Sequence, residues 1–255
     1  MNKLRFFVQL CFLLCANISM VASAAEIKVA VASNFYEPMR ELAQQFEQSS
    51  EHSIIISSAS SAKLFSQIRM GAPFDILLSA DEDKIDRLVM LELANETSTL
   101  LYTQGQLALY SNKPQYFPVQ IQQINEPNIT LAYANPDLAP YGLAAQSLFD
   151  SGKWQLKRPP IMGENISQVF HFVHSRSVDF GLVAYSHIRS KLYGDDNQDI
   201  SQQYVIIPSE LHPPILQKAA ILKRSKQLAA AEEFMAFLQG EMATDIISEF
   251  GYLRP

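Results

Sequence analysis

Short apolar, often β-branched runs alternate with helically spaced apolar residues along most of this chain, and that alternation restricts the fold more than any other feature. Ile27-Lys28-Val29-Ala30-Val31-Ala32 predicts a buried strand, and Tyr36, Met39, Leu42, Ala43 and Phe46 then recur with the spacing of an amphipathic helix over 36–48. Ser53-Ile54-Ile55-Ile56-Ser57 predicts a second strand. Leu64, Phe65 and Ile68 share one helical face, which Gly71-Ala72-Pro73 ends before a strand at Phe74-Asp75-Ile76-Leu77-Leu78. A helix over 82–92 brings Ile85, Leu88 and Val89 together. Strands at Leu107–Tyr110 and Ile129–Ala132, helices at 141–151 and 165–175, and a strand at Phe180–Val183 continue the pattern. Ala219–Leu222 predicts a last strand, followed by a helix carrying Leu228, Ala231, Phe234, Met235 and Leu238. Such alternation implies right-handed crossovers, a mostly parallel sheet and the α/β class. The proline-containing stretches near 112–128 and 207–214 read as loops.

The N-terminus points to export. Lys3 and Arg5 precede an apolar run, Phe6 to Leu14, and small residues follow at Ala22 and Ala24. These are the parts of a secretory signal peptide over residues 1–24, with cleavage after Ala24. The run is short of the roughly 20 apolar residues a membrane span needs. Cys15 follows the bulky Leu13 and Leu14, which argues against lipid attachment there. Both cysteines, Cys11 and Cys15, fall inside the leader, so the processed chain is expected to have no disulfide, thiol nucleophile or thiolate metal site. Without Lys3 and Arg5 it carries 18 basic and 26 acidic residues, net −8. That balance argues against a nucleic-acid or anionic-membrane partner.

Polar chemistry concentrates at the strand-to-helix switches. Ser33-Asn34 follows the first strand and Ser57-Ser58-Ala59-Ser60-Ser61 the second. Asn135-Pro136 and Ala139-Pro140-Tyr141 precede one helix; Gly163-Glu164-Asn165-Ile166 precedes another. Each is a helix-start signal, and any one alone is an ordinary cap. A helix start leaves backbone N–H groups without intrahelical acceptors, at the positive end of the helix dipole. Several starts aimed at one point bind an anion without Lys or Arg, which reconciles an anionic ligand with an acidic protein. In open α/β sheets such loops lie outside the carboxyl ends of the strands, where ligands bind.

The order of these motifs resembles the molybdate-binding proteins of molybdenum transporters, within the type II periplasmic binding proteins. The resemblance runs through Val29–Phe35, Ser57–Ser61, Gly71–Asp81, Asn135-Pro136, Ala139–Ala144, Glu164–Ile166 and Asp179–Val183. It implies two α/β lobes with a two-stranded hinge, lobe one formed by 25–104 plus 209–255 and lobe two by 105–208. A tetrahedral oxyanion, molybdate or tungstate, would lie between them. By matching position the contacts would be Ser33, Asn34, Ser61, Tyr141 and Ile166, the last two through backbone N–H groups and Asn34 through its side chain. The implied protein is a periplasmic, monomeric, non-enzymatic receptor with no cofactor and no metal beyond the molybdenum of its ligand, serving an ABC permease. A sulfate or phosphate receptor, or a periplasmic enzyme on the same scaffold, is the alternative.

Some residues depart from that pattern or admit other roles. Many relatives carry a binding tyrosine where this chain has Ala184, with Tyr185 one position later, and a one-residue shift reverses the face a side chain takes. Lys63 falls in the first turn of a helix, where a cation opposes the dipole. His171 and His174 can share a helical face but have no third metal ligand in view. Asp81, Glu82 and Asp83 read as a helix start, and Trp154 as a packing residue.

Overall fold

The computed structural model describes residues 24–192 and 199–255, so the expected leader lies almost wholly outside the described residues. The strands, in chain order, are β1 (Glu26–Ala32), β2 (Ser53–Ala59), β3 (Ile76–Ser79), β4 (Leu100–Gly105), β5 (Leu107–Tyr110), β6 (Leu131–Ala134), β7 (Ile161–Gly163), β8 (Phe180–Ala184), β9 (Tyr204–Ile206) and β10 (Ile215–Ile221). The helices are α1 (Tyr36–Ser49), α2 (Ser61–Arg69), α3 (Asp83–Met90), α4 (Pro140–Asp150), α5 (Ile166–His174), α6 (Tyr185–Ser190), α7 (Leu228–Phe237) and α8 (Glu241–Glu249).

The strands form two five-stranded sheets, ordered β2-β1-β3-β10-β4 and β7-β6-β8-β5-β9. In the first sheet β1 is parallel to β2 and β3, while β10 is antiparallel to both β3 and β4. In the second, β6 is parallel to β7 and β8, while β5 is antiparallel to β8 and β9. Each sheet therefore has one reversed strand in the fourth position; both sheets are mixed, with four of the five strands running the same way. The chain passes between the sheets twice, at Gln106 and again between β9 and β10. The result is a two-lobed α/β fold.

Period-two burial explains the layers. Ile27, Val29 and Val31 of β1 pack with Phe35, Met39, Leu42 and Phe46, and with Phe234 and Met235 of α7. Ala30, between them, faces the other way with Leu77, onto Leu64, Phe65 and Ile68 of α2 and Ile85 and Leu88 of α3. Both faces of the sheet are covered, as a parallel sheet requires. The second sheet builds its own core from Leu107, Leu109, Ala132, Leu182 and Val183, with Leu148 of α4 and Val169 and Val173 of α5.

Two aspartates fasten equivalent corners. Asp75 accepts Lys28 N–H at 2.8 Å and the Ser225 hydroxyl at 2.7 Å at the entry to β3, which begins at Ile76 rather than the expected Phe74. Asp179, just before β8, accepts Thr130 N–H at 2.7 Å and pairs with Lys113 Nζ at 2.6 Å. That clamp engages Thr130, and β6 covers 131–134 rather than the expected 129–132. The C-terminal strand is longer than its apolar run, starting at Ile215, with an irregularity between Gln217 and Lys218. The sequence reading did not anticipate β4, β7, β9, α6 or α8, and the stretches near 112–128 and 207–214 contain short 3-10 turns.

Candidate functional site

Four chain turns from the two sheets meet at one junction. A 3-10 turn, Ser33–Phe35, follows β1, and α2 opens with Ser60 as its N-cap. On the other side α4 opens at Pro140, and α5 opens behind Asn165, whose side chain accepts Gln168 N–H at 3.0 Å. Ala62 N–H donates to Leu138 O at 3.2 Å, which sets the start of α2 against the approach to α4. Ser167 Oγ donates to Ser33 O at 3.0 Å, which sets the start of α5 against the 3-10 turn. Ser33, Asn34, Ser61, Tyr141 and Ile166 all fall in this region, each at most 6% exposed.

The donors there are backbone amides and hydroxyls. Ser61 and Ile166 are first residues of their helices, so their N–H groups have no intrahelical acceptor. Pro140 has no N–H, which makes the Tyr141 amide the first free donor of α4. Ser61 Oγ accepts Ala80 N–H at 3.1 Å, so its own proton is left to donate elsewhere. Ser60 Oγ is buried without a hydrogen-bond partner, an unusual state for a hydroxyl. In the sequence Ser60 is one member of the serine-rich string Ser57–Ser61 and carries no signal of its own. Ser33, Ser58, Asn165 and Ser167 line an open cavity of about 550 Å³ beside the junction. A larger hollow, about 650 Å³ between β4 and the C-terminal helices, is lined by none of the five residues.

Behind the junction lies a buried, uncharged hydrogen-bond hub. Gln217 of β10, fully buried, accepts from Asn34 Nδ2 at 2.9 Å and from Tyr102 OH at 3.0 Å, and its Nε2 donates to Tyr141 OH at 3.4 Å. Asn34 Nδ2 also donates to Tyr252 OH at 2.9 Å, and Ser186 Oγ donates to Asn34 O at 2.9 Å. Both protons of the Asn34 amide are therefore engaged inside the protein, whereas the resemblance implies a ligand contact through this side chain. Burial pushes the hydroxyls of Tyr102, Tyr141 and Tyr252 well above the usual tyrosine range, so all three stay protonated donors. Gln217 and Tyr252 carried no motif and sit far from the other members in sequence.

His187, the third residue of α6, joins the same wall. Its Nε2 is 2.9 Å from Ser167 Oγ and 3.3 Å from Ser33 O. Ser167 donates to Ser33, so the network assigns the imidazole proton to Nε2; buried Nδ1 has no partner. Burial lowers its pKa from 6.5 to about 4, which keeps the ring neutral. Tyr185 turns aside: its hydroxyl is 3.3 Å from that of Tyr204 and its ring packs against Gly251. Lys63 reaches across the junction to Glu164 at 2.7 Å, both side chains about half exposed. His174 stacks on Phe170 with ring centroids 5.8 Å apart. No group of three or more His, Cys, Asp or Glu is placed to hold a metal ion among the described residues. Asp81 caps α3 by accepting Lys84 N–H at 3.0 Å, and Trp154 is buried in the second core.

Known proteins agree with this architecture. The family model described as bacterial extracellular solute-binding protein matches residues 27–253. A molybdate-binding protein of Azotobacter vinelandii is 35% identical over 240 residues, 92% of each chain. One of Rhodobacter capsulatus is 31% identical over 238 residues, covering 92% of this chain and 91% of its own. A solved structure of the Azotobacter vinelandii periplasmic molybdate-binding protein superposes with a TM-score of 0.81 at 30% identity, over 90% of this chain and 99% of the other.

Proposed function

The chain belongs to the bacterial extracellular solute-binding proteins, and from that premise we propose that it is the substrate-binding component of a molybdate importer. It captures molybdate or tungstate and delivers the anion to a membrane permease of the ABC type. The observation that carries this reading is the meeting of uncharged helix starts from both sheets, in a chain 35% identical to a molybdate-binding protein over nearly its whole length.

The chemistry is replacement of a hydration shell. A dianion leaving water loses strong hydrogen bonds, and a site compensates only with donors already aimed at it. The Ser33 and Ser61 hydroxyls and the amides of Tyr141 and Ile166 are the proposed donors. With its side chain occupied by Gln217 and Tyr252, Asn34 would contribute through the backbone of its turn. Helix dipoles supply partial positive charge without a counter-ion whose own desolvation would have to be offset. Lobe one would be residues 25–104 with 209–255, and lobe two 105–208. The protein would act in the periplasm as a monomer, after removal of residues 1–24, binding without transforming its ligand. Because sulfate has the same shape and charge, preference for molybdate would rest on cavity size.

A thermal-shift panel on the processed protein tests this. Molybdate and tungstate should raise Tm by mass action, by far more than sulfate, phosphate or chromate at equal concentration. A shift confined to sulfate or phosphate would overturn the assignment.

A further inference from the structure

Gly105 ends β4, one residue before the chain first crosses between the sheets. Its φ is not in the left-handed region, so backbone freedom is not what requires glycine there. Space is. A Cβ at this position would overlap the Tyr141 hydroxyl oxygen and lie 2.8 Å from both the ring carbon Cζ and Gln217 Nε2. The Tyr141 side chain starts from α4, a helix packed on the second sheet, yet its hydroxyl lies between two strands of the first. Gly105 forms one side of the seat and Gln217 the other. Tyr141 is 1% exposed, and Gln217 is itself held by Asn34 and Tyr102.

We propose that Gly105 and Gln217 form a socket for the Tyr141 phenol, and that they are positioning residues for the anion. Neither would touch the ligand. By fixing the phenol they fix the first turn of α4, and with it the one amide that Pro140 leaves free at that helix start. By holding Asn34, Gln217 fixes the 3-10 turn on the opposite side of the site. One buried side chain thus sets the spacing between a contact from each sheet, the dimension on which size selection depends. This inference rests on the proposed role of the Tyr141 amide.

The test measures molybdate Kd by titration calorimetry and Tm without molybdate. The proteins are the processed wild type, Gly105→Ala, Gln217→Met, Tyr141→Phe, and the doubles Gly105→Ala/Tyr141→Phe and Gln217→Met/Tyr141→Phe. Tyr141→Phe should weaken binding about tenfold, the worth of roughly one hydrogen bond. Gln217→Met should weaken it further, but lose less in the Tyr141→Phe background than in wild type, because the two act through a shared contact. Gly105→Ala should weaken binding at least about tenfold, and adding Tyr141→Phe should recover part of that loss by removing the overlapping oxygen. Simple destabilisation does not produce such recovery. Should Gly105→Ala fail to fold, the Gln217–Tyr141 cycle decides alone. A wild type that binds molybdate, with additive Gln217 and Tyr141 effects and no recovery in the Gly105 double, overturns the socket and leaves the functional reading standing. A wild type that shows neither a calorimetric signal nor a rise in Tm with molybdate or tungstate overturns the functional reading, and the socket's role with it.

Discussion

Replacing Ser61 by alanine separates two consequences of a single hydroxyl. Ser61 is 1% exposed and its Oγ accepts Ala80 N–H at 3.1 Å, which leaves the hydroxyl proton free for the proposed bond to the anion. Deleting a hydrogen bond to a charged group costs about 1.5–3 kcal/mol, so molybdate affinity should fall roughly 10- to 150-fold. The substitution also strands the Ala80 amide in the interior, which should cost about 1–3 kcal/mol of folding stability even without ligand. Ser33→Ala is the control. The Ser33 group bonded by Ser167 is its backbone carbonyl, which alanine keeps, so affinity should drop by a similar factor while stability changes little. The double variant should lose roughly 10²- to 10⁴-fold in affinity. Calorimetric titration gives the affinities, and urea unfolding of the ligand-free proteins gives the stabilities. A Ser61→Ala protein that loses stability but binds molybdate within twofold of wild type would refute the donor role. One that loses neither would refute the hydrogen-bond geometry itself.

Three further outcomes are expected. Burial lowers the His187 pKa from 6.5 to about 4, so the unfolded chain binds this proton more readily; stability should be full above pH 6.5 and decline by about 3 kcal/mol as pH falls to 4. Urea midpoints at pH 7 and 4.5 should show that slope flattened in His187→Gln, although His174, also lowered by burial, adds in the same direction. Asp179→Ala should destabilise by about 1–3 kcal/mol, chiefly by leaving the part-buried Thr130 amide without its acceptor. Burial opposes ionisation of Asp179, but the hydrogen bonds from Lys113 and Thr130 outweigh it and hold the carboxyl below 3.8; the wild-type advantage should therefore be full at neutral pH and shrink as pH falls below that value. The half-exposed Lys63–Glu164 pair should be worth less than about 1 kcal/mol, so Lys63→Ala should weaken molybdate binding no more than about fivefold at low salt and have almost no effect in 1 M salt.

The sequence was most legible where local signals and tertiary packing coincide. β1, α1, α4 and α5 lie within about two residues of their expected bounds, and α2 ends at Arg69 just before the expected stop at Gly71, because each has an apolar periodicity that its sheet then buries. The misses have physical causes. β7 and β9 have three residues each, too few to show a period. β4 is an edge strand whose pairing with β10 lies more than 100 residues away. The helix-start residues were legible because capping chemistry is local. Gln217, Tyr252, Gly105 and His187 were not, since each takes its meaning from partners reached only through the fold, and a lone glutamine or glycine in an apolar strand carries no pattern to read.

What unites the buried hub behind the junction is that burial removes charge from its four titratable groups, Tyr102, Tyr141, Tyr252 and His187. The same desolvation raises the three tyrosines and lowers His187, so all four are neutral across the physiological range and each keeps a proton to donate. A cationic site would attract a dianion more strongly, but it would carry its own desolvation cost and hold any anion of matching charge. A neutral site ranks anions by how well their oxygens meet fixed donors, so its discrimination comes from geometry. On the proposed assignment, the burden of selectivity would fall on the parts that hold the two sheets' contacts at a set distance, namely the buried hub and the glycine that lets Tyr141 enter it.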